Sequence, residues 1–252
     1  MIRIAAVGDL HVGTDLRGRL APRFAGIDDE ADVLLLAGDL TRVGSVEEVD
    51  VLIDELAGVS LPKVAVLGNH DHHADVPAEL MRRCRDGGIA VLEGESTVVE
   101  HDGATLGIAG IKGFGGGFPG TSLAPFGEAE IKSFANCTTD QAAALEAALR
   151  SLDTDHTVVL LHYSPIRETL AGEPPEIFPF LGSGHFAEVI DEVGADLVIH
   201  GHAHHGAEKG VTPGGIPVRN VAEPVIQDCY RVYHLGRRPV GSESLERTGS
   251  PS

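Results

Sequence analysis

The chain reads as an α/β fold, and two observations predict it. Short apolar runs of four to six residues, long enough for buried strands, alternate with stretches of helical spacing. Five of those runs stop at residues that can bind metal or move protons, and layered α/β folds gather ligands beyond the carboxyl ends of their strands.

The elements follow in order. Residues 2–7 form a first strand ending in Gly8-Asp9-Leu10-His11. A helix is expected over 15–27, although Gly18 and Pro22 weaken it. Residues 32–37 are a second strand, ending in Gly38-Asp39. Ser45 caps a helix over 46–56, with Glu47 and Glu48 where the helix dipole favours acids. Residues 63–67 are a third strand, ending in Gly68-Asn69-His70-Asp71, and a helix over 76–86 closes at Gly87-Gly88. Strands follow over 89–92, 97–101 and 105–109, with a hairpin turn at Asp102-Gly103. The Gly-, Phe- and Pro-rich segment 110–126 is long for a loop without function. Within it, 113–120 lacks the Lys-Ser/Thr of a P-loop and reads as a specificity lid with two Phe handles, or else as a surface loop. A helix over 138–149 precedes a strand over 157–161 that ends in His162. A Pro-rich segment over 163–182 leads to a helix from Ser183 to about 193. The strand 196–199 then ends in His200-Gly201-His202-Ala203-His204. Two or three antiparallel strands, about 207–211, 216–221 and 229–235, complete one domain over 1–235. Residues 236–252 read as a disordered tail.

Composition narrows the function. The chain has 252 residues, 42% hydrophobic and 23% charged, as in globular domains. No apolar run approaches a bilayer span, and the N-terminus reads as a strand and not as a signal peptide. Three widely spaced cysteines suit the cytoplasm. A net charge of −19 disfavours nucleic acid as a partner, while bound divalent metals would still admit a phosphate substrate.

The strand ends share one kind of chemistry. Asp9 and His11 alternate, so both can reach one centre, and His202 and His204 can flank a shared one. With Asp39, Asn69 and His162 they make about seven oxygen and nitrogen ligands. One centre takes about six at most, so two centres sharing a carboxylate fit better. His70 can move a proton near neutral pH, and Asp71 can orient it.

These blocks, Asp9-x-His11, Gly38-Asp39, Gly68-Asn69-His70-Asp71, His162 and Gly201-His202-Ala203-His204, resemble the signature of the calcineurin-like metallophosphoesterases, and they fill every position of it. The resemblance implies a four-layer αββα sandwich of two mixed sheets flanked by helices. It assigns Asp9, His11 and His204 to one metal and Asn69, His162 and His202 to a second, with Asp39 bridging. It makes His70 the general acid and Asp71 its support. The implied cofactors are two divalent transition metals, manganese, iron or zinc. The implied reaction is hydrolysis of a phosphate mono- or diester, with a small nucleotide or phosphorylated metabolite as substrate. The competing reading is a non-catalytic scaffold of the same fold that binds a protein partner, although such a scaffold should have lost ligands or the acid.

Other residues carry open alternatives. Arg42 could reach a substrate phosphate or lie solvated. His72 and His73 extend the third block. His185 could contact substrate or sit on the surface. His200 reads as packed behind the ligands, and His205 as exposed. Tyr163 could line the cleft or pack on the sheet.

Overall fold

The computed structural model describes residues 1–236. Among these described residues, eleven strands form two sheets. β1 (Ile2–Val7), β2 (Val33–Ala37), β3 (Lys63–Val66) and β4 (Ile89–Val91) lie parallel, with β11 (Arg231–Leu235) antiparallel against β1. The second sheet has the order β5 (Glu95–His101), β6 (Ala104–Ile111), β7 (His156–Leu161), β8 (Leu197–His200), β10 (Pro217–Asn220), β9 (Lys209–Val211). Its four middle strands are parallel and both edge strands antiparallel. The helices are α1 (Ile27–Glu30), α2 (Val46–Glu55), α3 (Pro77–Asp86), α4 (Ala129–Arg150), α5 (Phe178–Leu181), α6 (Gly184–Val193) and α7 (Glu223–Ile226).

Alternation along the strands builds the four layers. Val158 and Leu160 of β7 face a core shared with the first sheet and with α2 and α3. Val159 and Leu161 point the other way, onto Leu145 and Leu149 of α4 and Phe186 and Ile190 of α6. The expected αββα sandwich of two mixed sheets is therefore present.

Four local expectations change. The helix over 15–27 is replaced by two 3₁₀ turns (Thr14–Leu16 and Ala21–Phe24) and the short α1. Gly18 (φ 76°) and Gly26 (φ 89°) are left-handed and interrupt the ladder. Glu55 ties this segment down, accepting from the backbone N–H groups of Gly18, Leu20 (2.8 Å) and Ala21 (2.8 Å). The helix expected over 138–149 begins nine residues earlier, at Ala129. The closing strands are not one antiparallel group, since β10 pairs parallel with β8 and β11 crosses to the other sheet. The 113–120 segment is tied into the fold. Phe118 is buried with Leu170, Leu181 and Ala203, Gly117 N–H bonds the Gly182 carbonyl (3.0 Å), and Gly184 N–H bonds that of Gly117 (3.0 Å). The predicted tail, from 237 onward, lies outside the described residues.

Candidate metal centre

The carboxyl ends of β1, β2, β3, β7 and β8 meet along one edge of the sandwich. There the structure gathers Asp9, His11, Asp39, Asn69, His70, His162, His202 and His204. Potential ligand atoms of Asp9, His11 and His204 lie within 4.8 Å of one another, and so do those of Asp39, His162 and His202. Asp39 stands between the groups. Its Oδ2 faces His11 Nε2 (3.8 Å) and its Oδ1 faces His162 Nε2 (3.4 Å), so one carboxylate can serve two centres. Asn69 Oδ1 lies 3.0 Å from His162 Nε2.

The backbone is bent to achieve this. Among the described residues, Asp9 (φ 60°), His11 (φ 44°), Asp39 (φ 48°) and His202 (φ 69°) are left-handed. Side chains rarely adopt that region, and such strain concentrates at functional sites. The glycines of the motifs allow close approach. A Cβ on Gly68 would collide with the Asp39 carboxylate, and one on Gly201 with that of Asp9.

Backbone carbonyls set the imidazole tautomers. His162 Nδ1 donates to the Ala37 carbonyl (2.9 Å), which leaves the Nε2 lone pair for a ligand. His202 Nε2 meets the Phe180 carbonyl (3.3 Å), which leaves Nδ1 free. His70 Nδ1 meets the Arg42 carbonyl (2.8 Å), and its Nε2 looks across the site to Asp39 Oδ2 (3.9 Å). Burial and the neighbouring His162 push the His202 imidazole down to about 3, which keeps it neutral as a ligand must be. Burial opposes ionisation of Asp9, but His204 (Nε2 to Oδ1, 2.9 Å) and the His202 N–H hold it below the usual carboxylate range. The donor set, neutral imidazoles with carboxylate and amide oxygens, suits borderline divalent transition metals.

Asp71 departs from its expected place. Its Oδ1 accepts from Thr41 N–H (2.8 Å) and Oγ1 (2.6 Å), and its Oδ2 from Leu40 N–H (3.0 Å) and Gly68 N–H (2.8 Å). The direct contact to His70 is made by the Arg42 carbonyl instead. Asp71 holds the backbone of Leu40 and Thr41, immediately before Arg42, so its support of His70 is indirect. Burial and the Asp39 charge push its carboxyl up to about 6, against the pull of its donors.

The remaining residues sort plainly. The Arg42 guanidinium is solvated and pairs with Asp15 (2.9 Å). His73 and His205 are exposed, and His185 pairs with Glu188 (3.0 Å). His200 is fully buried behind the ligands, joined to Thr169 Oγ1 (2.9 Å) and the Gly201 carbonyl (2.7 Å), and burial takes it down to about 4. The Tyr163 ring is buried and sits 4.3 Å from that of His202. The Ala37, Arg42 and Phe180 carbonyls that orient the histidines had no signal in the sequence, because any residue supplies a carbonyl.

The model of the calcineurin-like phosphoesterases matches residues 2–206. The chain belongs to that family. The family is metal-dependent, and membership in it makes this chain a phosphoric ester hydrolase. No curated protein matches the sequence. Among solved structures, phosphopantetheinyl hydrolase (PptH) from Mycobacterium tuberculosis is 18% identical, with a TM-score of 0.66 over 92% of this chain and 98% of that one. A putative 5'-nucleotidase from Staphylococcus aureus is 16% identical, with a TM-score of 0.57 over 87% of this chain and 48% of that one. GAP50, the anchor in the inner membrane complex of Plasmodium, is 14% identical, with a TM-score of 0.54 over 88% and 72%. Among the described residues, no helix is long and apolar enough to cross a membrane.

Proposed function

We propose that this chain hydrolyses a phosphate mono- or diester of a small substrate, a nucleotide or phosphorylated metabolite, with two divalent transition metals at the strand ends. Asp9, His11 and His204 would hold one, Asn69, His162 and His202 the other, and Asp39 both. When bound, such a pair supplies Lewis-acid charge for the phosphoryl oxygens and lowers the pKa of a coordinated water. The chain's own residues orient the ligands and deliver the proton. His70, anchored at Nδ1 by the Arg42 carbonyl, presents Nε2 toward Asp39, placed to protonate the departing oxygen.

The observation that carries this reading is the complete set in one place: every ligand of both groups and a separately anchored His70. A scaffold has no need to keep the His70 imidazole in that pose. The charge of −19 favours a small substrate over a nucleic acid. The names of two fold neighbours, phosphopantetheinyl hydrolase and putative 5'-nucleotidase, are in keeping with such a substrate. The test is hydrolysis of nitrophenyl phosphate and bis-nitrophenyl phosphate by the manganese-loaded protein. Turnover of either supports the enzyme, and the ratio assigns mono- or diesterase. No turnover of either with metal bound returns the scaffold reading.

A further inference from the structure

The row of strand ends continues one strand past the second metal group in each sheet. β4 lies beside β3, which carries Asn69, and two residues after its end stands Glu93. β6 lies beside β7, which carries His162, and immediately after its end stands Lys112. Lys112 is 7% exposed. Its backbone carbonyl accepts from both His162 and Tyr163 N–H (3.0 Å each), so its position is tied to the metal side chains. Its ammonium lies 5.1 Å from the centre of the Tyr163 ring and 4.9 Å from that of Phe114, and the Tyr163 ring packs against His202.

This cation is under-bonded. An ammonium has three donors, and Lys112 uses one, to the Gly113 carbonyl (3.1 Å). Among the described residues no carboxylate reaches ion-pair distance of it, and two rings on one flank do not replace the missing acceptors. Buried charges are ordinarily paired and hydrogen-bonded. The unpartnered buried polar atoms of the described residues are His72 Nε2, Glu93 Oε2 and Gln141 Oε1. Burial lowers the Lys112 pKa and the Glu93 charge opposes that, while burial and the Lys112 charge together lower His72. Gln141 Nε2 bonds Cys137 Sγ (3.5 Å). Glu93 and Lys112 thus bring unfilled hydrogen-bonding capacity to the two strand ends that flank the Asn69 and His162 strands.

We infer that Lys112 is the cationic end of a second anion subsite, beside the Asn69, His162 and His202 side of the centre, which takes a carboxylate or further phosphate borne by the substrate. The inference rests on the phosphoesterase reading and deepens it. The scissile phosphoryl group occupies the metals, and the second anion completes the donors that Lys112 leaves open. Lys112 is a specificity residue that acts on the non-reacting end of the substrate.

The test uses a pair of non-hydrolysable probes of equal reach, propylphosphonate and 3-phosphonopropionate, bound to the manganese-loaded protein by calorimetry. A charge-assisted hydrogen bond in a dry site should favour the carboxylate probe by about tenfold or more. Lys112→Met should erase that preference while leaving propylphosphonate affinity within about twofold, which also shows that the variant folds. Lys112→Arg should keep most of the preference. Equal binding of the two probes to the wild type, or a preference that survives in Lys112→Met, would overturn the subsite and leave the phosphoesterase standing. Failure of the manganese-loaded wild type to bind either phosphonate would overturn both readings.

Discussion

The two halves of the proposed metal centre are built differently. On the His162 side the protein encloses one histidine fully and leaves Asn69 and His202 half-buried. The His162 side chain is fully buried, its tautomer is set by the Ala37 carbonyl, and His202 leans on the Phe180 carbonyl and the Tyr163 ring. On the Asp9 side the histidines face solvent, with His11 24% and His204 36% exposed, and order comes from one buried carboxylate bonded to His204. The His162 half is preorganised by two backbone carbonyls and an aromatic ring, and the Asp9 half by a single carboxylate. Hydrogen bonds that fix a ligand's orientation contribute about 10–100-fold to metal affinity, so the His162 half should hold its ion more tightly.

Substitutions can break this contrast. The largest effect is expected from Asp39→Ala, which removes the one group common to both halves. Elemental analysis should find both metals largely lost and turnover gone. Retention of one full equivalent would mean that Asp39 does not bridge. Next come His162→Ala and His204→Ala compared side by side. Manganese titration should restore most of the activity of the His204 variant at millimolar metal and little in the His162 variant. Equal rescue would erase the asymmetry. A smaller effect follows from Asp71→Asn. It replaces an acceptor of four hydrogen bonds with a side chain that accepts through one oxygen only, at a cost of about 2–4 kcal/mol in urea unfolding. Turnover should fall with it, because the backbone of Leu40 and Thr41 positions the Arg42 carbonyl under His70. Full stability with normal turnover would remove Asp71 from the support of the site.

The smallest effect lies far from the metals. Glu55 is buried, which opposes its ionisation, but the Ala21, Gly18 and Leu20 N–H groups hold its carboxyl below the usual range. A depressed folded pKa means the ionised form is the stabilised one. The contribution is complete above the ordinary glutamate pKa of about 4.3 and disappears as pH falls through the lower folded value. Glu55→Gln should therefore melt earlier than the wild type at neutral pH, and the gap should narrow in acid. A constant gap would show that ionisation of Glu55 is not what holds the 18–21 segment.

The same contrast explains what could be read from the chain. The seven proposed ligands and His70 were legible because each stands at the end of an apolar strand, often behind a glycine that admits a neighbour's carboxylate. Short apolar runs made the strands legible within a residue or two. Interactions made through the backbone were not. The carbonyls behind His70, His162 and His202 carry no residue signature, so the support of His70 was assigned to the adjacent Asp71. The start of α4 was missed because its first turns, 129–133, are exposed and show no apolar face. The crossing of β11 to the first sheet is decided by packing at a distance, which local periodicity does not record. Lys112 lay unnoticed in a glycine-rich run, where one lysine matches no motif.

The most direct test is His70→Ala, loaded with manganese and assayed on a nitrophenyl phosphate ester alongside elemental analysis. General acid catalysis contributes about 10²–10⁴-fold, so turnover should fall within that range while the metal content stays equal to that of the wild type. Loss of metal in step with activity, or turnover close to wild type with metal retained, would contradict the assignment of His70 as the proton donor beside a dimetal centre.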